Sequence, residues 1–472
     1  MSKTSRTPKK AATRAAPSKP QASGALSREQ RLVAGKAVRD RLPRKNHAAW
    51  KRPDKHRNVV GILQESNRDR LSELVPIRFG RMLRSPFTFL RGSAGLMAHD
   101  LATTPGTGLR VQACGDCHLM NFGLFATPER NLVFDINDFD ETLPAPWEWD
   151  LKRLVVSFAV AARDNGHSDD EARASAVECA RAYREHLREC SSKSPLEVWY
   201  ERLDMAALLE KAPDAGTRKR REDMAERARK RIGEYLFPKV STEVHGRRRL
   251  VDQPPILFHV AEKDANERFV EALEGYRASL PEDRRVLFDR YRLEDWAVKV
   301  VGIGSVGTRC LVGLFFSSEN HPLLLQFKEA RRSVLEPYAG KSVYANQGQR
   351  VVVGQRLMQS SSDIFLGWTE GRRGRYFFGR QLRDMKFSAP VEGASPALLK
   401  QYAEVCGLTL ARAHAKSGDA ATISGYLGNS DAFDQAIGAF ALAYANQNER
   451  DHAALVAAVK AGRVEALVEE DL

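Results

Sequence analysis

Residues 111–154 read VQACGDCHLMNFGLFATPERNLVFDINDFDETLPAPWEWDLKRL and contain two short polar clusters separated by apolar residues. The first cluster, Gly-Asp-Cys-His-Leu-Met-Asn at 115–121, follows a strand predicted at 109–112. The second cluster follows a strand predicted at 132–134. Its polar residues are Asp135, Asn137, Asp138 and Asp140. Such groups suit phosphoryl transfer, in which one carboxylate orients or deprotonates the nucleophile while an amide and another carboxylate hold Mg²⁺.

The length and composition are those of a soluble globular protein with more than one core. Hydrophobic residues make up 43% and charged residues 28% of the 472 residues, which is ordinary for this class. A single core stops growing at about 250–300 residues, so the chain has room for two. No apolar run reaches the roughly 18–20 residues of a membrane span, and no secretory signal is visible. Six cysteines without such a signal predict reduced thiols, so we expect a cytoplasmic protein that contacts no membrane.

Positive charge is concentrated at the N-terminus. The net charge is +14, and residues 1–52 are rich in Lys and Arg with hardly any acid. We expect residues 1–25 to be disordered, because they contain almost nothing to bury. Two interpretations of this basic tail are open: weak contact with a polyanion such as nucleic acid, or a solvated tail without a partner.

The pattern along the chain predicts four regions. Residues 1–45 hold the basic tail and a helix, residues 46–295 are helical and carry both polar clusters, residues 296–385 are rich in strands, and residues 386–472 are helical. The predicted helices span residues 27–42, 150–163, 168–189, 195–209, 217–231, 265–277, 281–288, 347–360, 398–416, 431–444 and 449–460. Strands are also predicted at 365–368 and 375–381.

A glycine-rich hairpin begins the strand-rich region. Residues 298–316 predict a strand, a loop that fits G-x-G-x-x-G, and a second strand. A dinucleotide-binding loop would lead directly into a helix, but residues 309–316 are β-branched and aromatic and favour a strand. A third strand at 323–329 carries Lys328, whose nearest carboxylate candidate in sequence is Glu336. This order matches the phosphate-covering loop and strand lysine of kinase-like folds, and the alternative is a tight hairpin with a surface lysine. The candidate nucleotide-binding residues are Gly302, Gly304, Ser305, Gly307 and Lys328.

Cys114, Cys117 and His118 form a C-x-x-C-H pattern that also occurs in haem-attachment sites, while C-x-x-C occurs in redox and zinc sites. Covalent haem requires export, and a redox motif belongs at a helix N-terminus. Zinc needs two further ligands, and the other cysteines have no paired spacing. We therefore prefer phosphoryl transfer as the interpretation of this cluster.

Several motifs identify a family resemblance. They are RGSAGLMAHDL, CGDCHLMNFG, VFDINDFDETLPAPWEWDLKRL, VGIGSVGTRC, ARAHAKSGD and SGYLG. Through them the chain resembles a large bacterial family of uncharacterised proteins, the domain-of-unknown-function family 2252, over most of residues 60–460.

More distantly, the first cluster and the Val-Phe-Asp of the second resemble the catalytic and metal loops of aminoglycoside and choline phosphotransferases. This resemblance implies Asp116 as the catalytic base and Asn121 and Asp135 as ligands of Mg²⁺. It also implies that Asp150 is a buried anchor of the first loop. His118 stands two residues after the Asp in both patterns.

Some assignments keep alternatives. His118 is a second candidate for the catalytic base. Asp138 is a further candidate metal ligand, but Asp138 and Asp140 fit equally well as residues that cap turns. Arg91 either brings a guanidinium near the polar clusters or serves as a structural ion-pair residue.

The order of these elements differs from that of an ordinary kinase. The glycine loop and Lys328 follow the catalytic loop by about two hundred residues. The helix ending at His414 resembles the one that normally leads into that loop. We expect an α+β, protein-kinase-like two-lobe fold that is circularly permuted, with a small antiparallel sheet lobe and a large helical lobe built from both chain ends.

The expected function is that of an ATP- and Mg²⁺-dependent phosphotransferase acting on an unknown small molecule or protein. Two alternatives remain open: a nucleotidyl transferase, and a catalytically silent nucleotide-binding or scaffold protein of the same fold.

Overall fold

The computed structural model describes residues 26–51, 57–244, 246–262, 264–300, 302–382 and 384–468. It gives no account of the side chains of residues 233–235, 239 and 305. The basic tail at residues 1–25 therefore lies outside the described residues, as does the side chain of Ser305. Among the described residues, no helix is long and apolar enough to cross a membrane.

Helices make up most of the described chain. They are α1 (Arg28–Arg41), α2 (Val59–Glu65), α3 (Val75–Leu83), α4 (Pro86–Gly92), α5 (Ala94–Leu101), α6 (Trp147–Asp164), α7 (Asp169–Cys190), α8 (Pro195–Tyr200), α9 (Met205–Glu210), α10 (Ala215–Arg229), α11 (Gly233–Val240), α12 (Ala265–Ser279), α13 (Glu282–Phe288), α14 (Glu336–Ala339), α15 (Gln347–Met358), α16 (Pro396–Ala415), α17 (Ala420–Leu427) and α18 (Ala432–Lys460).

The strands form small antiparallel sheets. They are β1 (Arg110–Ala113), β2 (Phe122–Ala126), β3 (Leu132–Ile136), β4 (Leu143–Pro146), β5 (Leu203–Asp204), β6 (Ser241–Val244), β7 (Arg247–Leu250), β8 (Leu257–Phe258), β9 (Tyr291–Lys299), β10 (Cys310–Ser317), β11 (Pro322–Ala330), β12 (Gly367–Gly371) and β13 (Arg375–Gln381). The largest sheet has the order β12-β13-β11-β10-β9-β8, and β2, β3 and β5 form a second one. The remaining strands pair as β1 with β4 and β6 with β7.

The strand that carries Lys328 lies inside the six-stranded sheet. Strand β11 pairs with β10 and β13, so that Lys328 lies opposite Cys310 and Phe378. On the same strand, Phe327 meets Tyr276 of α12 edge to face at 5.0 Å between ring centroids. Aromatic pairs of this geometry stabilise a core beyond the area that they bury. Packing against α12 and two strand neighbours thus fixes the position of Lys328.

Helix α6 lies at the centre of the helical part. All of residues 147–162 are buried, and α4, α7, α16 and α18 pack around them. A helix covered on every side must give each buried charge a partner. Lys152 Nζ donates to Thr104 Oγ1 at 3.0 Å, and Arg153 Nε donates to Asp116 Oδ1 at 2.6 Å. The second contact ties this helix to the first polar cluster.

Segments from the two ends of the chain pack together. Helix α1 packs against α17, where Arg39 Nε donates to the carbonyl of Tyr426 at 2.8 Å and Arg44 to that of Leu427 at 2.6 Å. Guanidinium groups at a helix C-terminus satisfy carbonyls that have no partner within the helix. The ends of the sequence therefore build one structural unit.

Three predicted helices are wrong in their extent. The helix predicted at 195–209 is broken, because Leu203 and Asp204 pair with β3 and Asp204 then caps α9 through the N–H of Ala207. The two helices predicted at 431–444 and 449–460 are one, α18. Asn448, in the polar stretch between them, is buried and donates to the carbonyl of Pro86 at 2.8 Å, which keeps the helix continuous.

Candidate active site

A cavity of about 200 Å³ lies where β11 and the loop between β9 and β10 meet the two polar clusters. Residues that are distant in sequence share its wall: Asp140 and Lys328 are 188 positions apart and in contact. The predicted site residues that line this cavity are Asp116, His118, Asn121, Asp138, Gly302, Gly304 and Lys328.

The first polar cluster is a tight loop held by α6. Asp150 accepts the backbone N–H groups of Cys114 at 2.7 Å and Gly115 at 3.0 Å, which is the anchoring contact that the resemblance implies. Gly115 adopts a φ of +85°, and a Cβ there would lie 2.4 Å from a carbonyl oxygen of the second cluster, so the turn requires glycine. Asn121 Nδ2 donates to the carbonyl of Asp116 at 2.7 Å, which leaves its amide oxygen as the possible metal ligand.

Asp116 and His118 lie side by side in this loop. Asp116 Oδ1 accepts from Arg153 Nε, while Oδ2 lies 3.9 Å from His118 Nε2. Burial lowers the pKa of His118 to about 4, so its ring is neutral at pH 7. Its Nδ1 has no hydrogen-bond partner in the described part of the chain. Asp116 is therefore an oriented, charge-paired carboxylate beside a neutral imidazole.

The second polar cluster pairs with the strand lysine. Lys328 Nζ lies 3.2 Å from Asp140 Oδ2 and 3.5 Å from Asp138 Oδ2. Burial acts to raise both carboxyl pKa values. For Asp138 the charges of Lys328 and Arg380 outweigh burial and lower the pKa to about 2, whereas the charge of Asp138 adds to burial and raises the pKa of Asp140. These two aspartates, and not Glu336, are the partners of Lys328.

Arg350 joins the second cluster to the sheet from behind. It lies on α15, is 2% exposed, and donates to the carbonyls of Thr142 at 2.6 Å, Asp140 at 2.9 Å and Arg331 at 2.7 Å. A guanidinium that bonds three carbonyls from two chain segments holds those segments at a fixed separation. The distance between the aspartates and β11 is thus set by a residue outside both.

The glycine loop lies against the first cluster. A Cβ at Gly304 would be 3.6 Å from the carbonyl oxygen of Arg91 and 3.8 Å from Asp116 Oδ2, whereas a Cβ at Gly302 would meet nothing within 4 Å. Gly307 has a φ of +83°, and its carbonyl accepts from Leu71 N–H at 2.7 Å. It does not line the cavity. At Gly304 the loop thus brings its backbone close to Asp116, the candidate base.

Four arginines in the cavity wall form no salt bridge with any described residue. Arg332 is exposed, whereas Arg70, Arg78 and Arg91 are buried or half-buried. Arg78 is 2% exposed, and burial together with the charge of Arg331 lowers its pKa to about 10. The Nε atoms of Arg78 and Arg91 are buried without a hydrogen-bond partner in the described structure. Buried charges are rarely left unpaired, so this part of the wall is suited to an anion.

Asp135, the predicted metal ligand on β3, lies outside the cavity. It is fully buried, and its oxygens accept from Arg412, from both the N–H and the Oγ of Ser360 at 2.8 Å, and from the N–H of Ile136. A carboxylate surrounded by four donors has no oxygen directed to the cavity. We therefore leave Asp135 out of the metal site considered below.

Arg153 and Arg350 were not anticipated from the sequence. Each lies within an otherwise ordinary helix, and neither belongs to a spacing pattern that signals a site. Arg91 was expected either near the polar clusters or in a structural ion pair, and it lies in the cavity wall without an ion pair to any described residue. Buried arginines find partners through tertiary packing, which no local motif encodes.

The model of one protein family matches residues 70–458, and its description is "Uncharacterized protein conserved in bacteria (DUF2252)". Neither a search of curated proteins nor one of solved structures finds a match. The match spans most of the chain and includes both polar clusters, the glycine loop and Lys328. The protein therefore belongs to the DUF2252 family of uncharacterised bacterial proteins.

Proposed function

We propose that the protein is an ATP- and Mg²⁺-dependent phosphotransferase with a circularly permuted, kinase-like arrangement of two lobes. One observation carries this proposal. Residues of the glycine loop, the strand lysine and residues of both polar clusters line a single cavity, although about two hundred residues separate the clusters from the loop and the lysine in sequence. If the aspartates only capped turns and the glycines only formed a tight hairpin, these residues would not need to share a cavity.

The permutation is supported by the position of α16. Its last residues include His414, whose Nε2 lies 3.3 Å from Asp150, the residue that anchors the first cluster. In a chain of ordinary order the equivalent helix would lead directly into that cluster. Here the helix and the loop come from opposite halves of the chain and both contact the buried Asp150 of α6. Joining them would require only a change in the order of segments.

The oxygen ligands that the cavity wall offers suit Mg²⁺. Carboxylate and amide oxygens are the ligands that this ion prefers, and Asp138, Asp140 and Asn121 supply them. When bound, the ion would neutralise charge on the phosphates. The two aspartates would then no longer need the ammonium of Lys328, which lies 3.2 Å from one of them, and it could bond a phosphate oxygen instead.

Asp116 is the residue best suited to receive the proton of an acceptor hydroxyl. It lies in the cavity beside the closest approach of the glycine loop, and Arg153 fixes its orientation. The unpaired arginines of the wall suit phosphate groups, because guanidinium N–H groups match phosphate oxygens in charge and geometry. The acceptor itself is not identified by these contacts.

One observation favours a second candidate, a nucleotide-binding protein without catalysis. Arg153 forms a salt bridge with Asp116 Oδ1, so only Oδ2 remains open to an acceptor hydroxyl. In this second function the cavity would bind Mg²⁺ and ATP and transfer nothing.

The test combines calorimetry of Mg²⁺-ATP binding with turnover on a pool of bacterial metabolites. We expect ATP binding by the natural protein and formation of ADP together with a phosphorylated product. Asp116→Asn should keep ATP binding and lose about 10²–10⁴ in rate, while the exposed control Asp170→Asn should lose nothing.

Each other outcome has a meaning. Binding without turnover would establish the silent candidate, and release of pyrophosphate would indicate nucleotidyl transfer. The absence of any nucleotide binding would overturn the proposal as a whole.

A further inference from the structure

A second cluster of potential ligands lies at the end of α7, away from the cavity. His186 and Cys190 are four residues apart on α7, so their side chains point to the same side of the helix. Glu201 follows directly after α8 and reaches the same point. One ligand atom from each of the three lies within 4.8 Å of the others. His186 and Cys190 are buried, at 6% and 2% exposure.

The distances suit a tetrahedral metal ion. His186 Nε2 lies 3.1 Å from Glu201 Oε1, and the Cys190 thiol donates to the other carboxylate oxygen, Oε2, at 3.6 Å. One ligand atom of each residue lies within 4.8 Å of the other two. Zinc bonds of about 2.0–2.1 Å to nitrogen or oxygen and about 2.3 Å to sulfur give ligand separations of about 3.3–3.6 Å in a tetrahedron. An ion can therefore bind with small adjustments of the three side chains.

The imidazole ring of His186 lies between two carboxylates. Nδ1 lies 2.9 Å from Glu189 Oε2. Nε2 is buried, forms no hydrogen bond among the described residues, and points toward the Glu201 carboxylate. With a proton on Nδ1, Nε2 offers its lone pair to a metal ion at this point. A carboxylate that orients the ring from behind is the usual outer partner of a zinc-binding histidine.

We propose that His186, Cys190 and Glu201 bind one zinc-class divalent cation, with water or a fourth group completing the site. The set of imidazole, thiolate and carboxylate is typical of Zn²⁺ and excludes the oxygen-preferring Mg²⁺ and Ca²⁺. Lys193 Nζ lies 2.9 Å from Glu201 Oε1 on the open side. Its side chain is 33% exposed and contributes little as an ion pair, so it can move into solvent.

Binding must release a proton. In the metal-free protein the Cys190 thiol donates to Glu201 Oε2 at 3.6 Å, whereas a metal ion binds the thiolate. The S–H bond breaks, the sulfur bonds the metal, and the proton passes to the buffer. The bound ion would tie the end of α7 to Glu201, which directly follows α8.

The experiment titrates Zn²⁺ into the purified full-length protein by calorimetry in buffers of different protonation enthalpy. We expect one ion per chain at micromolar affinity or better, with release of about one proton. Co²⁺ in place of Zn²⁺ should show a thiolate-to-metal charge-transfer band. Glu189→Gln should weaken affinity by about 10–100-fold, and Cys190→Ser should weaken it further and abolish the band.

Two control variants locate the site. Cys179→Ala alters a buried cysteine of the same helix and should leave binding unchanged. Cys117→Ala tests the other close group, Cys114, Cys117 and Asp150, and should also leave it unchanged. Failure of the natural protein to bind Zn²⁺ would overturn the proposal. Binding that survives Cys190→Ser, or is lost with Cys117→Ala, would overturn it equally.

Discussion

Replacing Lys328 by methionine tests whether the two aspartates depend on it. The substitution keeps the length of a side chain that is 8% exposed and removes the ammonium 3.2 Å and 3.5 Å from two carboxylates. At an effective dielectric constant of about 20, each attraction is worth about 5 kcal/mol before desolvation. Desolvation of the lysine and water at the carboxylates, which are 27% and 32% exposed, cancel much of this sum. We expect the variant to lose about 2–4 kcal/mol of unfolding free energy at pH 7.

The loss should depend on pH with a definite sign. In the natural protein Lys328 helps to lower the folded-state pKa of Asp138 to about 2, which stabilises the fold above the unfolded-state pKa. The pKa of Asp140 is already raised, and it should rise further without the lysine. A raised carboxyl pKa destabilises the fold at high pH, and this effect is relieved as the pH falls. The deficit of the variant should therefore be smaller at pH 5 than at pH 7.

The assay is urea denaturation followed by tryptophan fluorescence at both pH values. Lys400→Met is the matched control, because Lys400 is 54% exposed and lies 3.8 Å from Glu178. It should change the unfolding free energy by less than about 0.5 kcal/mol. Adding Asp140→Asn to Lys328→Met should restore part of the loss, since the neutral amide needs no counter-charge. Equal stability of the two lysine variants at pH 7, or a deficit independent of pH, would refute the reasoning.

Three further predictions concern single residues. Asp135→Asn should lower the free energy of unfolding by about 3–5 kcal/mol in urea denaturation, because it leaves buried Arg412 without its ion-pair partner. Its Mg²⁺ affinity should be unchanged in calorimetry, and a folded variant with weakened affinity would return Asp135 to the metal site. Gly407→Ala places a methyl 2.2 Å from a carbonyl oxygen of α7 and should cost about 1–3 kcal/mol in the same assay, which an unchanged midpoint would contradict. Gly304→Val should weaken ATP binding about tenfold in calorimetry, whereas Gly302→Val, which points into open space, should not; equal effects would exclude a close approach at Gly304.

The elements with strong local signals could be predicted from the sequence. The glycine hairpin was expected from β-branched and aromatic residues, and it is formed by β9 and β10. The basic helix at 27–42 matches α1, which Ser27 caps through a hydrogen bond from Gln30 N–H. The break at 201–204 could not be foreseen, because it depends on pairing with β3, about seventy residues earlier in the chain. The local sequence pattern determines whether a segment is helix or strand only where pairing with a distant segment does not compete with it.

The same distinction applies to the candidate site. Asp138 and Lys328 carry recognisable sequence signals, and they meet in the cavity. Asp135 has an equally strong signal but lies outside the cavity, where Arg412 donates to it. Arg412 is 277 positions away in sequence, so no local motif could predict this pairing. Likewise, only the fold shows that Arg78 is buried and has no ion pair among the described residues. The sequence was enough to predict the chemical type of the site residues. The direction of their side chains and the identity of their partners could be learned only from the fold.

The packing of α7 against α16 has a consequence for synthesis of the chain. Gly407 brings the two helices into backbone contact, yet more than two hundred residues separate the start of one from that of the other. A growing chain on the ribosome must therefore carry the side of α7 that packs against α16 uncovered until α16 emerges. Contacts of such long range slow folding and leave hydrophobic surface exposed meanwhile. The unfinished protein should be a client of chaperones, and chains that stop before α16 should aggregate.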